Sequence, residues 1–78
     1  MMTQDIIRKH LAGKRKGEFL TWLNEGLSTP VSTRTLFYWL SGKTAKPNPR
    51  VLNDIMTAYP TDDPRHLLAA ELKGVCLQ

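Results

Sequence analysis

Residues 32–41 bring together a guanidinium, a phenol and small hydroxyl groups at helical spacing. At about 100° per residue, the apolar side of such a helix lies opposite a polar side that carries no carboxylate. The apolar side has Leu36, Trp39 and Leu40, and the polar side has Arg34, Tyr38 and Ser41, with Thr33 and Phe37 along one edge. Because phosphate groups repel carboxylates, this acid-free side suits the groove of a nucleic acid. An ordinary solvated helix face is the alternative interpretation.

Four residues of this segment are candidates for reading DNA bases. A helix fits the major groove of B-DNA, where the base edges present distinct patterns of donors and acceptors. Arg34 can form two parallel hydrogen bonds with guanine, and Thr33 or Phe37 can contact the methyl group of thymine. Tyr38 can meet a base edge or a phosphate. The predicted base-reading residues are Thr33, Arg34, Phe37 and Tyr38.

Cations on both sides of this segment are candidates for binding the DNA backbone. Lys43 complements the dipole at a helix end, whereas Lys46 lies beyond the helix and needs another explanation. Lys14, Arg15 and Lys16 begin the second predicted helix, where their charges oppose the dipole. Nearby phosphates account for both groups, since such contacts supply affinity without reading the sequence.

The charge of the chain is uneven. The 78 residues carry 11 Lys and Arg against 7 Asp and Glu, a formal net charge of +4. Residues 1–46 hold eight basic and three acidic side chains, whereas residues 47–78 hold three basic and four acidic ones. The surplus therefore lies wholly in the first part, which favours a polyanionic partner there. A charge that only keeps the protein in solution is the alternative.

Glycine, proline and capping residues divide the chain into five short predicted helices. Ser32 is a favourable N-cap for the third helix, and the N–H groups at that start can also hold a phosphate. Asn48-Pro49 and Asp63-Pro64 each place a capping residue before a proline, which marks the start of the fourth and the fifth. The tail 75–77 is the only stretch that could form a strand instead. The predicted stops are Gly13, Gly26, Gly42, Pro60 and Gly74.

An all-α fold follows from this division, a compact bundle of about five short helices in a single domain over residues 1–78. Isolated helices shorter than about 12–15 residues are marginal in water, so these helices must share one core. The predicted core residues are Ile7, Leu11, Phe19, Leu23, Leu36, Trp39, Leu40, Leu52, Ile55, Tyr59 and Leu68.

Several classes of protein are excluded by what the chain contains. Its one cysteine, Cys76, cannot form an intramolecular disulfide, and His10 and His66 lie 56 residues apart without a cysteine pair that would indicate zinc. No apolar run approaches the ~20 residues of a membrane span, and the start lacks the pattern of a signal peptide. No nucleophile–base arrangement or glycine-rich phosphate loop is visible, so we expect no enzyme, no cofactor and no small-molecule ligand.

A spaced pattern over residues 31–52 is similar to a known family. The residues of this pattern are Val31-Ser32, Thr35-Leu36, Trp39, Gly42-Lys43, Pro47 and Val51-Leu52. Phe19-Leu20 and Leu23 are similar to apolar residues of a preceding helix in that family. With these residues the chain resembles the lambda-repressor-like helix-turn-helix family, the Cro/XRE type of phage and bacterial transcription regulators, over roughly residues 4–60.

The resemblance implies a sequence-specific regulator of transcription, such as a repressor, in the cytoplasm of a bacterial or phage-infected cell. Residues 32–41 would be its recognition helix in the major groove, and Thr33, Arg34 and Tyr38 match the base-reading positions. Lys16 matches a glutamine early in the second helix of the family, which often contacts the DNA backbone. Members of the family usually bind as homodimers to half-sites about one helical turn apart. The positions that match phosphate contacts are Ser32, Thr35, Ser41, Lys43 and Lys46.

The chain departs from the family pattern between the second and third helices. Leu20 stands where the family has a small residue, and Asn24 where it has a glycine. The connection over residues 24–30 is also several residues longer than the usual turn. These departures predict that the two helices do not cross in the standard way.

The C-terminal part, residues 61–78, carries more apolar residues than one side of a helix needs for a core. We expect the remainder to contact a second copy of the chain. Packing of all these residues within the chain itself is the alternative. The predicted dimer contact is Leu68, Leu72, Val75 and Leu77. A protein-interaction module on the same fold, such as a phage regulator that binds RNA polymerase or another regulator through Trp22, Phe37 and Tyr38, is the alternative function.

Overall fold

Five α-helices make up the fold, in a computed structural model that describes residues 2–44 and 46–77. No strand occurs within those residues, so the prediction of an all-α protein is confirmed. In chain order the helices are α1 (Thr3–Leu11), α2 (Lys16–Asn24), α3 (Thr33–Ser41), α4 (Pro49–Ala58) and α5 (Pro64–Cys76).

The three predicted N-caps are confirmed by their hydrogen bonds. The hydroxyl of Ser32 accepts the N–H of Thr35 at 3.1 Å. The side-chain carbonyl of Asn48 and the carboxylate of Asp63 each accept an N–H from the residue two positions on, both at 2.9 Å. These bonds satisfy donors that the first turn of a helix leaves unpaired, so α3, α4 and α5 begin where the sequence predicts.

The predicted end of α5 was wrong. The helix continues through Gly74 to Cys76, and the tail 75–77 forms no strand. The reason is tertiary packing, because Val75 and Cys76 are partly buried against the core. That burial outweighs the low helix propensity of a single glycine.

The core is formed by all five helices, with α4 against α5 and α1 against both α3 and α5. Trp39 and Phe19 are the largest side chains at its centre, and both are almost wholly buried. The predicted core residues are buried as expected, except that Leu11 is only partly so. The core also contains five residues that were not predicted: Ile6, Leu20, Val31, Ala69 and Leu72.

The predicted dimer contact needs correction on α5. Leu68 and Leu72 are both 0% exposed, because the core of the chain itself takes up their side chains. They therefore present no surface to a second copy. Val75 is partly buried and Leu77 is 82% exposed, while Leu67, which was not assigned, is 52% exposed.

Candidate nucleic-acid interface

α3 is oriented as its sequence predicts. Leu36 and Trp39 lie on the buried side, each 1% exposed. On the opposite side Arg34 is exposed and Tyr38 is half-buried, and Phe37 at the edge is 52% exposed. The acid-free side of α3 therefore faces outward, on a helix that its tryptophan anchors in the core.

The chain leaves α3 through a turn that requires glycine. Gly42 has a φ of +81°, a left-handed conformation that favours glycine. A Cβ at this position would also lie 3.0 Å from the side-chain oxygen of Gln4 on α1. The turn directs Lys43 back toward α3, so that its ammonium lies 5.4 Å from the centre of the Tyr38 ring.

A shallow groove of about 280 Å³ runs between α1, α2 and the outer edge of α3. Its floor is apolar, and the cations Arg8 and Lys16 lie at it. The lining residues are Arg8, Leu11, Lys16, Phe37, Leu40 and Ser41. The structure therefore brings Lys16, a predicted phosphate-binding residue, next to Phe37 and Ser41. Arg8 was not predicted, because no signal along the chain places α1 beside α3.

A second, wider groove of about 730 Å³ joins α2 to the start of α3. It brings Ser32 and Thr33, both predicted site residues, beside Gly17 and Thr21 of α2. Glu25 also lines this groove, where its carboxylate accepts a hydrogen bond from Arg65 at 3.2 Å. The one carboxylate along this groove thus has a cationic partner within the protein.

The hydroxyl groups predicted to meet phosphates are engaged within α3. Ser32 and Thr35 share a hydrogen bond of 2.9 Å between their hydroxyl oxygens. Ser41 donates its hydroxyl proton to the carbonyl of Tyr38 at 3.3 Å. To bind a phosphate at either place, the hydroxyl group would have to donate its hydrogen bond to the phosphate in place of its present acceptor.

The three cations at the start of α2 differ in their surroundings. Lys14 places its ammonium 4.1 Å from the centre of the Trp22 ring, a cation–π contact. Arg15 is the N-cap residue of α2, and its side chain caps nothing. Lys16 faces the groove that Phe37 lines. Only one of the three is therefore placed beside the predicted recognition helix.

Five exposed cations have no partner for their charged groups among the described residues. Within residues 2–44 and 46–77, no ion pair, side-chain hydrogen bond or ring contact involves the charged ends of Arg8, Arg15, Lys16, Arg34 and, at the start of α4, Arg50. Two of them lie at the groove between the helices, and Arg34 lies on α3 itself. This surface therefore attracts anions with charge that the protein does not neutralise.

The long connection between α2 and α3 is closed by an amide clasp. Asn24 donates its side-chain N–H to the carbonyl of Val31 at 3.0 Å, and its side-chain oxygen accepts the N–H of Val31 at 2.8 Å. The clasp ends one residue before Ser32, the cap of α3. Asn24, which stands where the family has glycine, thus gives a longer turn a defined end. The prediction of non-standard helix crossing stays a prediction.

The three aromatic residues of the alternative function lie in different surroundings. Trp22 packs against Phe19, and Lys14 and Arg65 lie close to its ring. Phe37 and Tyr38 neighbour each other on α3, with ring centres 6.2 Å apart. Trp22 is therefore already covered by two cations of the protein itself, and the exposed aromatic surface is that of α3.

Comparison with known proteins adds no family and no fold relative. No protein-family model, curated protein or solved structure matches the chain. The resemblance to the lambda-repressor-like family stays a prediction, and a function can be inferred only from the residues and their geometry. One further property follows from the helices: none of those over residues 2–44 and 46–77 has the length and apolar character needed to cross a membrane.

Proposed function

We propose that this protein is a sequence-specific regulator of transcription that binds double-stranded DNA by placing the outer side of α3 in the major groove. The observation that carries the proposal is the pairing state of its cations. Arg34 on α3 and Arg8 and Lys16 at the adjoining groove are exposed and have no carboxylate partner among the described residues. Three unneutralised cations around one acid-free helix face match a polyanion.

Base reading and backbone binding fall to different side chains in this proposal. Arg34 reads guanine, and Thr33, Phe37 and Tyr38 complete the base-reading group. Lys16 and Lys46 hold phosphates on either side, and Arg8 adds a contact from α1. Ser32, Thr35, Ser41, Lys43 and the Lys14-Arg15 pair form the remaining predicted backbone contacts. Such contacts fix the orientation of a protein on DNA but carry no sequence information.

A second copy of the chain belongs to the proposal because one copy is small. Its longest extent is 27 Å, shorter than the ~34 Å of one turn of B-DNA. Two copies on half-sites one turn apart would double the number of bases read. Leu67 on α5 and Leu77, the residue that follows α5, are exposed leucines that such a dimer can bury.

The test is selection from a randomised duplex library, followed by mobility-shift titration of the selected duplex at two salt concentrations. We expect the selected duplex to bind more tightly than random competitor, with an affinity that falls steeply with salt. If no duplex competes better than random DNA, the proposal fails. The exposed aromatic side of α3 would then favour the protein-interaction module.

Two substitutions separate the proposed roles. Arg34→Ala should weaken the best site by about 1–3 kcal/mol and leave random DNA almost unaffected, since a bidentate base contact is lost. Lys46→Ala should weaken all sequences alike. Equal effects of both changes on selected and random DNA would contradict this division.

Sedimentation equilibrium tests the dimer separately. Leu67→Asp and Leu77→Asp each place a charge at an exposed position on or just after α5, so they should lower the mass toward that of a monomer without unfolding the chain. If the wild type is already monomeric at the concentrations that bind DNA, the dimer is excluded while the DNA proposal remains.

A further inference from the structure

The C-terminal end of α2 is held by side chains from another part of the chain. The last carbonyls of a helix have no partner inside it, and Glu25 after α2 keeps a right-handed conformation that provides no glycine-type cap. The carbonyl of Trp22 instead accepts a hydrogen bond from Nη1 of Arg65 at 2.8 Å. The carbonyl of Leu23 accepts one from the hydroxyl of Tyr59 at 2.6 Å.

The hydroxyl of Tyr59 also holds the start of the long connection. It accepts the backbone N–H of Gly26 at 2.8 Å while it donates to Leu23. The ring lies so close that a Cβ at Gly26 would stand 3.1 Å from its Cε1 atom. Any larger residue at this position would force the ring to shift by a few tenths of an ångström, so the close approach favours glycine. One buried phenol joins the last turn of α2 to the chain that leads toward α3.

Arg65 is fixed over the same ring. Its guanidinium carbon lies 3.8 Å from the centre of the Tyr59 ring, and its side chain is only 15% exposed. Asp63 binds it through both carboxylate oxygens, at 3.0 and 2.7 Å. Because Asp63 is also the cap of α5, the position of Arg65 is set by the start of that helix.

These contacts and the Asn24 clasp hold both ends of the connection from α2 to the cap of α3. We propose that Tyr59 and Arg65 are positioning residues for base reading: they fix the placement of α3 from the corner between α4 and α5. The inference rests on the proposed function, because it concerns how well α3 meets the bases. It assigns to the C-terminal half a role in sequence specificity without any contact with DNA.

The physical reason is that base and backbone contacts tolerate displacement differently. Bidentate hydrogen bonds to a base edge need a side chain held within about 0.5 Å. A lysine near a phosphate acts mainly as a point charge, whose attraction changes little over such a distance. If the connection loosens, the affinity for the selected site should fall while the affinity for random DNA stays.

Tyr59→Phe is the central test, since it removes one hydroxyl and keeps the ring in the core. We expect the ratio of selected to random affinity to fall roughly tenfold, because the N–H of Gly26 and the carbonyl of Leu23 both lose their partner. Arg65→Lys keeps the charge but loses the guanidinium that binds both Asp63 and the carbonyl of Trp22, so it should also lower the affinity ratio. It serves as the second variant if the first does not fold.

Glu71→Gln is the matched control. Glu71 on α5 binds Lys9 at 2.8 Å and His10 at 3.0 Å, both on α1. The substitution therefore weakens a contact between α1 and α5 that does not involve residues 22–32. It should lower the melting temperature but leave the affinity ratio unchanged. If Glu71→Gln lowers the ratio as much as Tyr59→Phe at temperatures where both are folded, general loosening explains the effect and the inference is wrong.

Hydrogen exchange on the protein without DNA keeps this inference separate from the proposed function. In Tyr59→Phe the amides of Gly26 and Val31 should exchange faster, by roughly tenfold, while those of α1 should not change. Unchanged exchange over residues 26–35 would overturn the inference even if the protein binds DNA. If the wild type binds no DNA specifically, the proposed function fails, and the exchange data alone decide whether Tyr59 fixes this connection.

Discussion

Two groups of cations in this chain have opposite surroundings. Beside α3, the charged ends of Arg8, Lys16 and Arg34 have no partner among the residues that the structure describes. Around α5, each cation is bonded to the protein. Lys9 binds Glu71 at 2.8 Å, Arg65 binds Asp63 at 2.7 Å, and Lys73 binds Asn53 at 3.0 Å.

This contrast indicates that the pairing of the cations, more than their number, decides what a basic surface can bind. The charge of a cation with a carboxylate partner is already neutralised inside the protein. Such a pair contributes at most to the stability of the fold. An exposed cation without a partner adds almost nothing to stability but attracts an external anion. The two groups should therefore respond in opposite ways when a cation is removed.

The largest expected contrast lies between Arg65 and Arg34. Arg65→Ala should lower the free energy of unfolding by about 2–4 kcal/mol, since it removes the guanidinium that binds the carboxylate of Asp63 and the carbonyl of Trp22. Arg34→Ala should change it by no more than about 0.5 kcal/mol. Urea denaturation followed by circular dichroism measures both. A loss of stability in Arg34→Ala equal to that in Arg65→Ala would show that Arg34 has an unrecognised partner.

Arg8 and Lys9 provide the next test, because they are neighbours on one helix. Arg8→Gln should lower the slope of log affinity against log salt by about one unit, as one phosphate contact is lost. Lys9→Gln removes the same charge from the side that binds Glu71, so it should leave the slope unchanged. Titrations of the selected duplex at several salt concentrations compare them. If Arg8→Gln leaves the slope at the wild-type value, as Lys9→Gln should, the groove at Arg8 binds no phosphate.

A smaller effect is expected from acid at two carboxylates of the region around α5. The hydrogen bond with the Arg65 side chain lowers the pKa of Asp63 below its ordinary value of 3.8, and the hydrogen bond with Lys9 lowers the pKa of Glu71 below 4.5. A carboxyl whose pKa is lower in the folded state stabilises the protein above its unfolded pKa. That contribution is lost as the pH falls through the folded pKa.

Thermal unfolding between pH 7 and pH 2 should therefore show a loss of stability below about pH 4.5. The double variant Asp63→Asn and Glu71→Gln should be less stable at neutral pH and less sensitive to acid. Arg34→Ala should follow the wild-type curve, because no carboxylate of residues 2–44 and 46–77 pairs with Arg34. If the double variant loses stability on acidification as steeply as the wild type, these two pairs do not carry the pH dependence.

The sequence predicts most of the fold because its signals are local. Ser32, Asn48 and Asp63 mark helix starts with side chains that bond to the very next turn, and helical spacing alone separates Trp39 from Arg34. These features depend on a few consecutive residues. The outward face of α3 was therefore predicted correctly before any contact between helices was known.

What the sequence does not predict depends on contacts between distant residues. The sequence assigns Leu72 to a dimer contact, and Leu68 both to that contact and to the core, because an apolar stripe does not show which neighbour covers it. Arg8 was missed because only the packing of α1 beside α3 brings it to Phe37. The roles of Tyr59 and Arg65 depend on bonds across 36 and 43 residues, which no local pattern encodes.

The smallest expected effect tests whether Lys14 belongs with the paired cations or with the unpaired ones. Its ammonium lies over the ring of Trp22, and an exposed cation–π contact contributes about 0.5–1 kcal/mol. Lys14→Gln should therefore lower the free energy of unfolding by about 0.5–1 kcal/mol, whereas Lys16→Gln should leave it unchanged. Lys14→Gln should also lower the salt slope of DNA binding by less than Lys16→Gln does. Urea denaturation and salt titration of both variants provide the comparison. If Lys14→Gln lowers the salt slope as much as Lys16→Gln and costs no stability, the ring of Trp22 does not neutralise Lys14 as a carboxylate would. Only cations in ion pairs would then belong to the paired group.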